Sequence, residues 1–205
     1  PLGHEKYVGY VELVLQSGEH LLSLINDVLD LSKVEAGELG LDEKPFELNK
    51  TLAACVQMIT GRETTGICSL WLEDRGKLPF FLGDERLMTQ ILLNLLSNAV
   101  KFTHPDGEVV VRADYGDSQG WRVTVTDTGC GLSSEDIPKV LEPFGQVRTG
   151  SLQSHEGTGL GLSLSKKLTE LHGGQLEIES TLGAGTKVTL WFPKDRALKV
   201  AQVDG

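Results

Sequence analysis

Residues 84–127, DERLMTQILLNLLSNAVKFTHPDGEVVVRADYGDSQGWRVTVTD, carry one helical period followed by two strand periods. From Asp84 to Phe102 the apolar residues Met88, Ile91, Leu92, Leu95, Leu96 and Ala99 recur at spacings of three, four and seven, which predicts a helix with one buried face. Asp84 stands where an N-cap would. From Glu108 to Tyr115 and from Trp121 to Asp127 apolar residues alternate, with a glycine-bearing turn between the two runs. Outward toward the carboxyl end, Ser133 or Ser134 can cap a short helix reaching Leu141, and Gly145 to Gly157 is a polar loop. Gly159 to Leu171 is helical and stopped by Gly173 and Gly174. Gln175 to Ser180 and Thr186 to Phe192 close a hairpin around Gly183 and Gly185. Toward the amino end, Leu48 to Ile59 is helical and Ile67 to Glu73 strand-like. The expected fold class is α+β, a two-layer sandwich of helices on a mixed, mostly antiparallel sheet.

Before that domain, Tyr10 to Ala36 runs without proline. It places Val11, Val14, Leu15, Leu21, Leu22, Ile25, Val28, Leu29 and Val34 on a stripe that Leu24 and Leu31 widen. A lone helix cannot bury such a stripe, so a bundle helix with a partner, from this or a second chain, is expected. Gly37, Gly40 and Pro45 mark its end, which gives expected boundaries of 1–40 for linker and bundle helix, 41–194 for the compact domain and 195–205 for a tail.

The 205 residues are 40% hydrophobic and 23% charged, an ordinary globular balance that excludes disordered and collagen-like classes. With 19 Lys plus Arg against 29 Asp plus Glu the net charge is −10, which disfavours a nucleic-acid backbone or an anionic lipid surface as partner. No apolar run approaches the roughly 18 residues of a membrane span, and no secretory signal opens the sequence, so a cytoplasmic domain is expected, whether or not the parent protein is anchored elsewhere. Cys55, Cys68 and Cys130 are odd in number and lack a C-x-x-C, which reads as three reduced thiols.

Three groups of residues could carry chemistry. On the helix from Asp84, Asn94, Asn98 and Lys101 form a polar line at i, i+4 and i+7, able to offer an oxygen to a hard cation and a point charge to a phosphate. A solvated helix face has the same pattern. On the strand from Trp121, the period of two puts Asp127 on the face of Val123 and Val125, so a carboxylate points inward and needs donors. An aspartate opening the turn before Thr128 and Gly129 fits equally. Thr186 stands in the same relation to Val188, Leu190 and Phe192. Gly157, Gly159 and Gly161 precede a helix, where bare amides at the positive end of the dipole suit anionic oxygens. Their G-x-G-x-G spacing is neither the Rossmann nor the Walker pattern, and glycine-bearing turns are common at helix starts.

Taken together and in order, NLLSNAVKFT (94–103), DTGCGL (127–132), EPFGQV (142–147) and GTGLGL (157–162) resemble the ATP-binding domain of sensor histidine kinases, of the GHKL superfamily that also holds DNA gyrase and mismatch-repair ATPases. The resemblance covers about residues 45–193. Upstream, SGEHLLSLINDVLDLSKVEAGELGL resembles the second helix of the dimerisation and phosphotransfer bundle. The resemblance implies ATP and Mg²⁺ as ligands, Asn98 on the metal with Asn94 in support, and Lys101 on phosphate. It further implies Asp127 on the adenine amino group with Thr186 beside the same edge, and Gly129 and Gly131 letting the backbone pass close to the base. Phe144 would pack at the root of a lid spanning Gln146 to Glu156, in which Arg148 is an added phosphate contact, and Gly157, Thr158, Gly159, Leu160 and Gly161 would line the phosphates. The implied activity is transfer of the γ-phosphoryl group to a bundle histidine, with relay to the aspartate of a response-regulator receiver domain and a homodimer through the bundle helix.

One departure stands out. The family's acceptor motif, H-E-x-x-R-T-P-L, is not found. His4 and Glu5 begin like it, but Lys6, Tyr7 and Val8 follow, so Pro1 to Tyr7 is read as the connection between two helices, and His20, His104, His155 and His172 as structural or solvent-facing. The acceptor helix is expected to lie outside this sequence. The alternative reading is an ATP-binding pseudokinase or docking module of a phosphorelay.

Overall fold

The structure, a computed structural model, describes residues 4–62, 68–73, 76–147 and 158–198. The chain divides into two units, Pro1–Leu39 and Gly40–Gly205.

The first unit is α1, His4–Glu35. It begins earlier than the apolar stripe suggests, so His4 to Tyr7, expected as a connection, are helical; no glycine or proline lies within HEKY to interrupt the turn. The helix stops at Gly37, whose φ of 68° turns the chain left-handed. The Gly37 amide then donates to Val34 O at 3.1 Å and the Glu38 amide to Lys33 O at 2.9 Å, satisfying carbonyls that a helix end leaves open. Val11, Val14, Leu15, Leu21, Leu22 and Ile25 are exposed.

In the second unit five strands lie in the order β2 (Ser69–Leu72), β4 (Glu108–Gly116), β5 (Gly120–Asp127), β7 (Gly185–Phe192) and β6 (Gln175–Thr181). β2 runs parallel to β4 and every other neighbouring pair is antiparallel. The alternation read in the sequence fixes the inner face: Val109, Val111, Ala113, Trp121, Val123, Val125, Leu190 and Phe192 are all buried. Helices α2 (Leu48–Arg62), α3 (Glu85–Phe102) and α5 (Gly161–Leu171) pack on it, and the predicted apolar face of α3 is buried in full. The fold is the expected α+β sandwich. α4 is one turn, Ile137–Val140; Ser133 does not cap it directly but donates its hydroxyl proton to Asp136, while its carbonyl accepts the Asp136 amide.

A second sheet was not signalled by the sequence. β1 (Lys44–Phe46), β3 (Phe80–Gly83) and β8 (Ala197–Leu198) pair antiparallel with β3 in the middle, so Pro45 lies within an edge strand where its missing N–H is harmless. Residues 195–198, expected as tail, belong to this layer: Arg196 pairs with Glu43 and donates to Leu82 O at 3.2 Å. The sheet brings Phe81 into the core, with ring centroids 5.5 Å from Trp121, 5.1 Å from Phe192 and 5.4 Å from Phe46. Beside it the buried His172, at the end of α5, has Nδ1 2.8 Å from Leu168 O and accepts the Asp84 amide on Nε2 at 3.2 Å. An amide donor at Nε2 leaves the proton on Nδ1, so the imidazole is neutral, and burial holds its pKa below the ordinary 6.5.

Candidate functional site

The site starts at the cap of α3. Asp84 is itself buried and accepts the Leu87 amide on Oδ1 at 3.2 Å, which sets the phase of the helix. With Leu87, Met88, Ile91, Leu92, Leu95 and Leu96 turned inward, Asn94, Asn98 and Lys101 fall half-buried along one edge. Asn94 Nδ2 donates to Gly161 O at 3.4 Å, a long bond that lays the carboxamide against the first residue of α5. The half-buried Asn98 carboxamide makes no hydrogen bond to another described residue. The Lys101 ammonium lies 5.1 Å from the centroid of the Phe102 ring, and partial burial lowers its pKa, a penalty that a nearby anion would relieve.

Facing this edge, β5 ends at Asp127, which is paired in register with Thr186 of β7. Asp127 Oδ1 accepts two backbone amides, from Gly129 at 2.8 Å and Thr186 at 3.1 Å. Oδ2 receives no hydrogen bond from a described residue. Burial raises the carboxyl's pKa, and the two amide donors pull it back. Asp127, Ser180, Thr181, Gly185, Thr186 and four neighbours line a shallow cavity, a space a ligand could enter. The loop after Asp127 is laced to the end of α3 by the Cys130 amide donating to Phe102 O at 3.1 Å. At Gly129 and Gly131 the absent side chain admits neighbouring backbone. A Cβ on Gly129 would lie 2.3 Å from Phe102 O, and one on Gly131, at φ 65°, 2.0 Å from Thr181 O.

At the other end, α5 begins at Gly161, two residues later than the pattern suggests. Gly159 adopts φ 72° against the backbone of Phe144, and Leu160 N donates to Thr158 Oγ1 at 3.1 Å. The N-cap residue supplies no side-chain acceptor, leaving the first-turn amides and the dipole for an anion. Leu160 is a core residue, 1% exposed, so only its backbone could face a ligand. At Phe144 φ is 62° and the side chain is 65% exposed, and its backbone packs at Gly159. Gly157 and Arg148 lie outside the described residues, as does most of the expected lid.

These features fit a base with an exocyclic amino group at Asp127 and phosphates at α5. A divalent ion fits only if shared: among the described residues no group of three His, Cys, Asp or Glu could hold a metal, so Asn98 would supply one oxygen and a phosphate others. The sequence reading missed Ser180. Its place was nonetheless implied, because alternation from Leu176 and Ile178 turns Ser180 inward and the hairpin register sets it opposite Thr186. No helix among the described residues is long and apolar enough to cross a membrane.

Comparison with known proteins agrees with this geometry. Residues 83–196 match the family described as histidine kinase-, DNA gyrase B-, and HSP90-like ATPase. The chain is 42% identical over 198 residues to the non-motile and phage-resistance protein of Caulobacter vibrioides, covering 94% of this chain and 23% of that one. It is 39% identical over 203 residues to the circadian input-output histidine kinase CikA of Synechococcus elongatus, covering 95% and 26%. It thus spans about a quarter of the length of these curated relatives. The crystal structure of full-length ShkA in complex with AMPPNP superposes with a TM-score of 0.79 at 32% identity, covering 94% of this chain and 40% of that one. The chain belongs to the family of histidine kinase-, DNA gyrase B- and HSP90-like ATPases.

Proposed function

We propose that this domain presents Mg·ATP for transfer of the γ-phosphoryl group to a histidine on a bundle helix, for relay to a receiver-domain aspartate of a response regulator. The observation that carries this reading is the buried carboxylate of Asp127, a residue of the cavity wall, with one oxygen filled by backbone amides and the other without a donor among the described residues. In this reading Asp127 and Thr186 hold the adenine edge, Asn98 shares a magnesium ion with the phosphates, Asn94 fixes the start of α5 against α3, and Lys101 neutralises phosphate charge. Magnesium, when bound, would spread the charge that develops on the transferring group. The domain's own residues then contribute position and electrostatics: the uncapped amides of α5 face the phosphates, and the partly buried Lys101 gains from an anion what burial takes from it. Residues 1–40 are proposed as the second helix of the dimerisation and phosphotransfer bundle, pairing two copies of the chain through its exposed stripe. The domain itself would span 41–194, although Arg196 and β8 extend the ordered layer beyond that boundary.

The test is transfer of ³²P from γ-labelled ATP to a separately supplied histidine-bearing helix pair. Transfer is expected from the native chain and is expected to vanish in Asn98→Asp and in Lys101→Ala. Unchanged rates in both variants would refute the assignment. Nucleotide binding without transfer would favour a docking module that signals by conformation.

A further inference from the structure

Ser180 has a role that follows from counting protons. Its Oγ meets three partners: the Leu132 amide at 2.7 Å, the Gly185 carbonyl at 2.9 Å and the Thr186 hydroxyl at 2.9 Å. A serine hydroxyl has one proton and two lone pairs. The amide can only donate and so fills one lone pair, while the carbonyl can only accept and so takes the proton. Only a lone pair remains for Thr186, whose hydroxyl must therefore donate to Ser180 and turn its own lone pairs outward. The neighbouring Asp127 is in a matching state, because both amides fall on Oδ1 and Oδ2 has no donor among the described residues. Both residues line the same cavity.

Between them, Asp127 Oδ2 and the Thr186 hydroxyl therefore offer acceptors alone. A primary amino group on an aromatic ring brings two N–H donors to them, whereas an oxo group of the same size would set lone pairs against lone pairs. We propose that Ser180 is a positioning residue that commits the Thr186 hydroxyl as an acceptor and so selects 6-amino purine nucleotides over 6-oxo purine nucleotides. This inference rests on the reading that ATP binds at Asp127, and it adds a residue that does not itself touch the base.

The test measures dissociation constants of the 205-residue chain for ATP and for inosine triphosphate, with magnesium present, by calorimetry. The native chain should prefer ATP by about 100-fold or more. In Ser180→Ala the Thr186 hydroxyl is released to turn its proton toward an oxo group, so the preference should fall about tenfold, the scale of one hydrogen bond. In Thr186→Val the preference should also fall, and adding Ser180→Ala to that variant should change it no further. A purely structural serine would weaken both nucleotides alike and act equally in either background. A preference in Ser180→Ala within twofold of the native value, or the same Ser180→Ala effect when Thr186 is already Val, overturns the proposal. Should Ser180→Ala fail to fold, Thr186→Val decides, since an unchanged preference there is equally fatal. A native chain that binds ATP but does not distinguish the two nucleotides overturns this inference alone. One that binds neither overturns the ATP reading and the inference together.

Discussion

Replacing Asp127 with Asn should move stability and affinity in opposite directions. The carboxamide oxygen can keep the two bonds that Oδ1 accepts from Gly129 and Thr186 at 2.8 and 3.1 Å, so the backbone of the site has no reason to shift. The amide nitrogen then replaces Oδ2, the atom without a donor among the described residues, and an acceptor becomes a donor. An incoming amino group loses one charge-assisted hydrogen bond, about 1.5 to 3 kcal/mol, which is roughly 10- to 150-fold in dissociation constant. Two donors facing each other push the loss toward the upper end. The empty domain is relieved of a buried charge, as the burial-raised pKa of Asp127 signals, and should melt no lower than the native protein. Calorimetric titration with ADP and with inorganic triphosphate, beside thermal melts of the unliganded chain, measures all of this. An unchanged ADP affinity, or equal losses for ADP and triphosphate, would refute the placement of the adenine edge at Asp127.

Burial depresses the pKa of His172, so the native state binds fewer protons than the unfolded chain once pH drops below the ordinary 6.5. The stability it contributes is fully present above that value and lost as pH falls toward the folded pKa. Melting temperatures between about pH 7.5 and 5.5 should decline in the native chain and decline less in His172→Gln. Equal slopes would show that His172 does not set the pH dependence. Phe81→Ala empties the junction of Trp121, Phe192 and Phe46 and should cost about 3 to 5 kcal/mol in denaturant unfolding. A loss under 1 kcal/mol would mean that the small sheet does not anchor the core.

What the sequence disclosed follows the length of each periodic signal. The 18 residues of α3 and the eight-residue β5 repeat their patterns often enough to fix both elements, and with them the phase of Asn94, Asn98 and Asp127. Strands of two to four residues, such as β1, β3 and β8, complete too few repeats to be read, and their pairing joins residues as far apart as Phe80 and Leu198. Thr186 was legible from alternation, but the bond that orients its hydroxyl required the register across the hairpin. Phe144 shows a different limit. A left-handed φ at a non-glycine residue is imposed by packing against Gly159 and leaves no mark on residue type.

The small sheet also determines how the ATP-binding unit connects to whatever surrounds it. β1 and β8 flank the same strand and both run antiparallel to it, so the polypeptide enters beside Gly83 and departs beside Phe80, two strand spacings across and three residues along, roughly 14 Å apart. The two doorways therefore open at opposite ends of one three-stranded layer, and a tether of about five extended residues laid along that layer could join them without pulling on the nucleotide pocket.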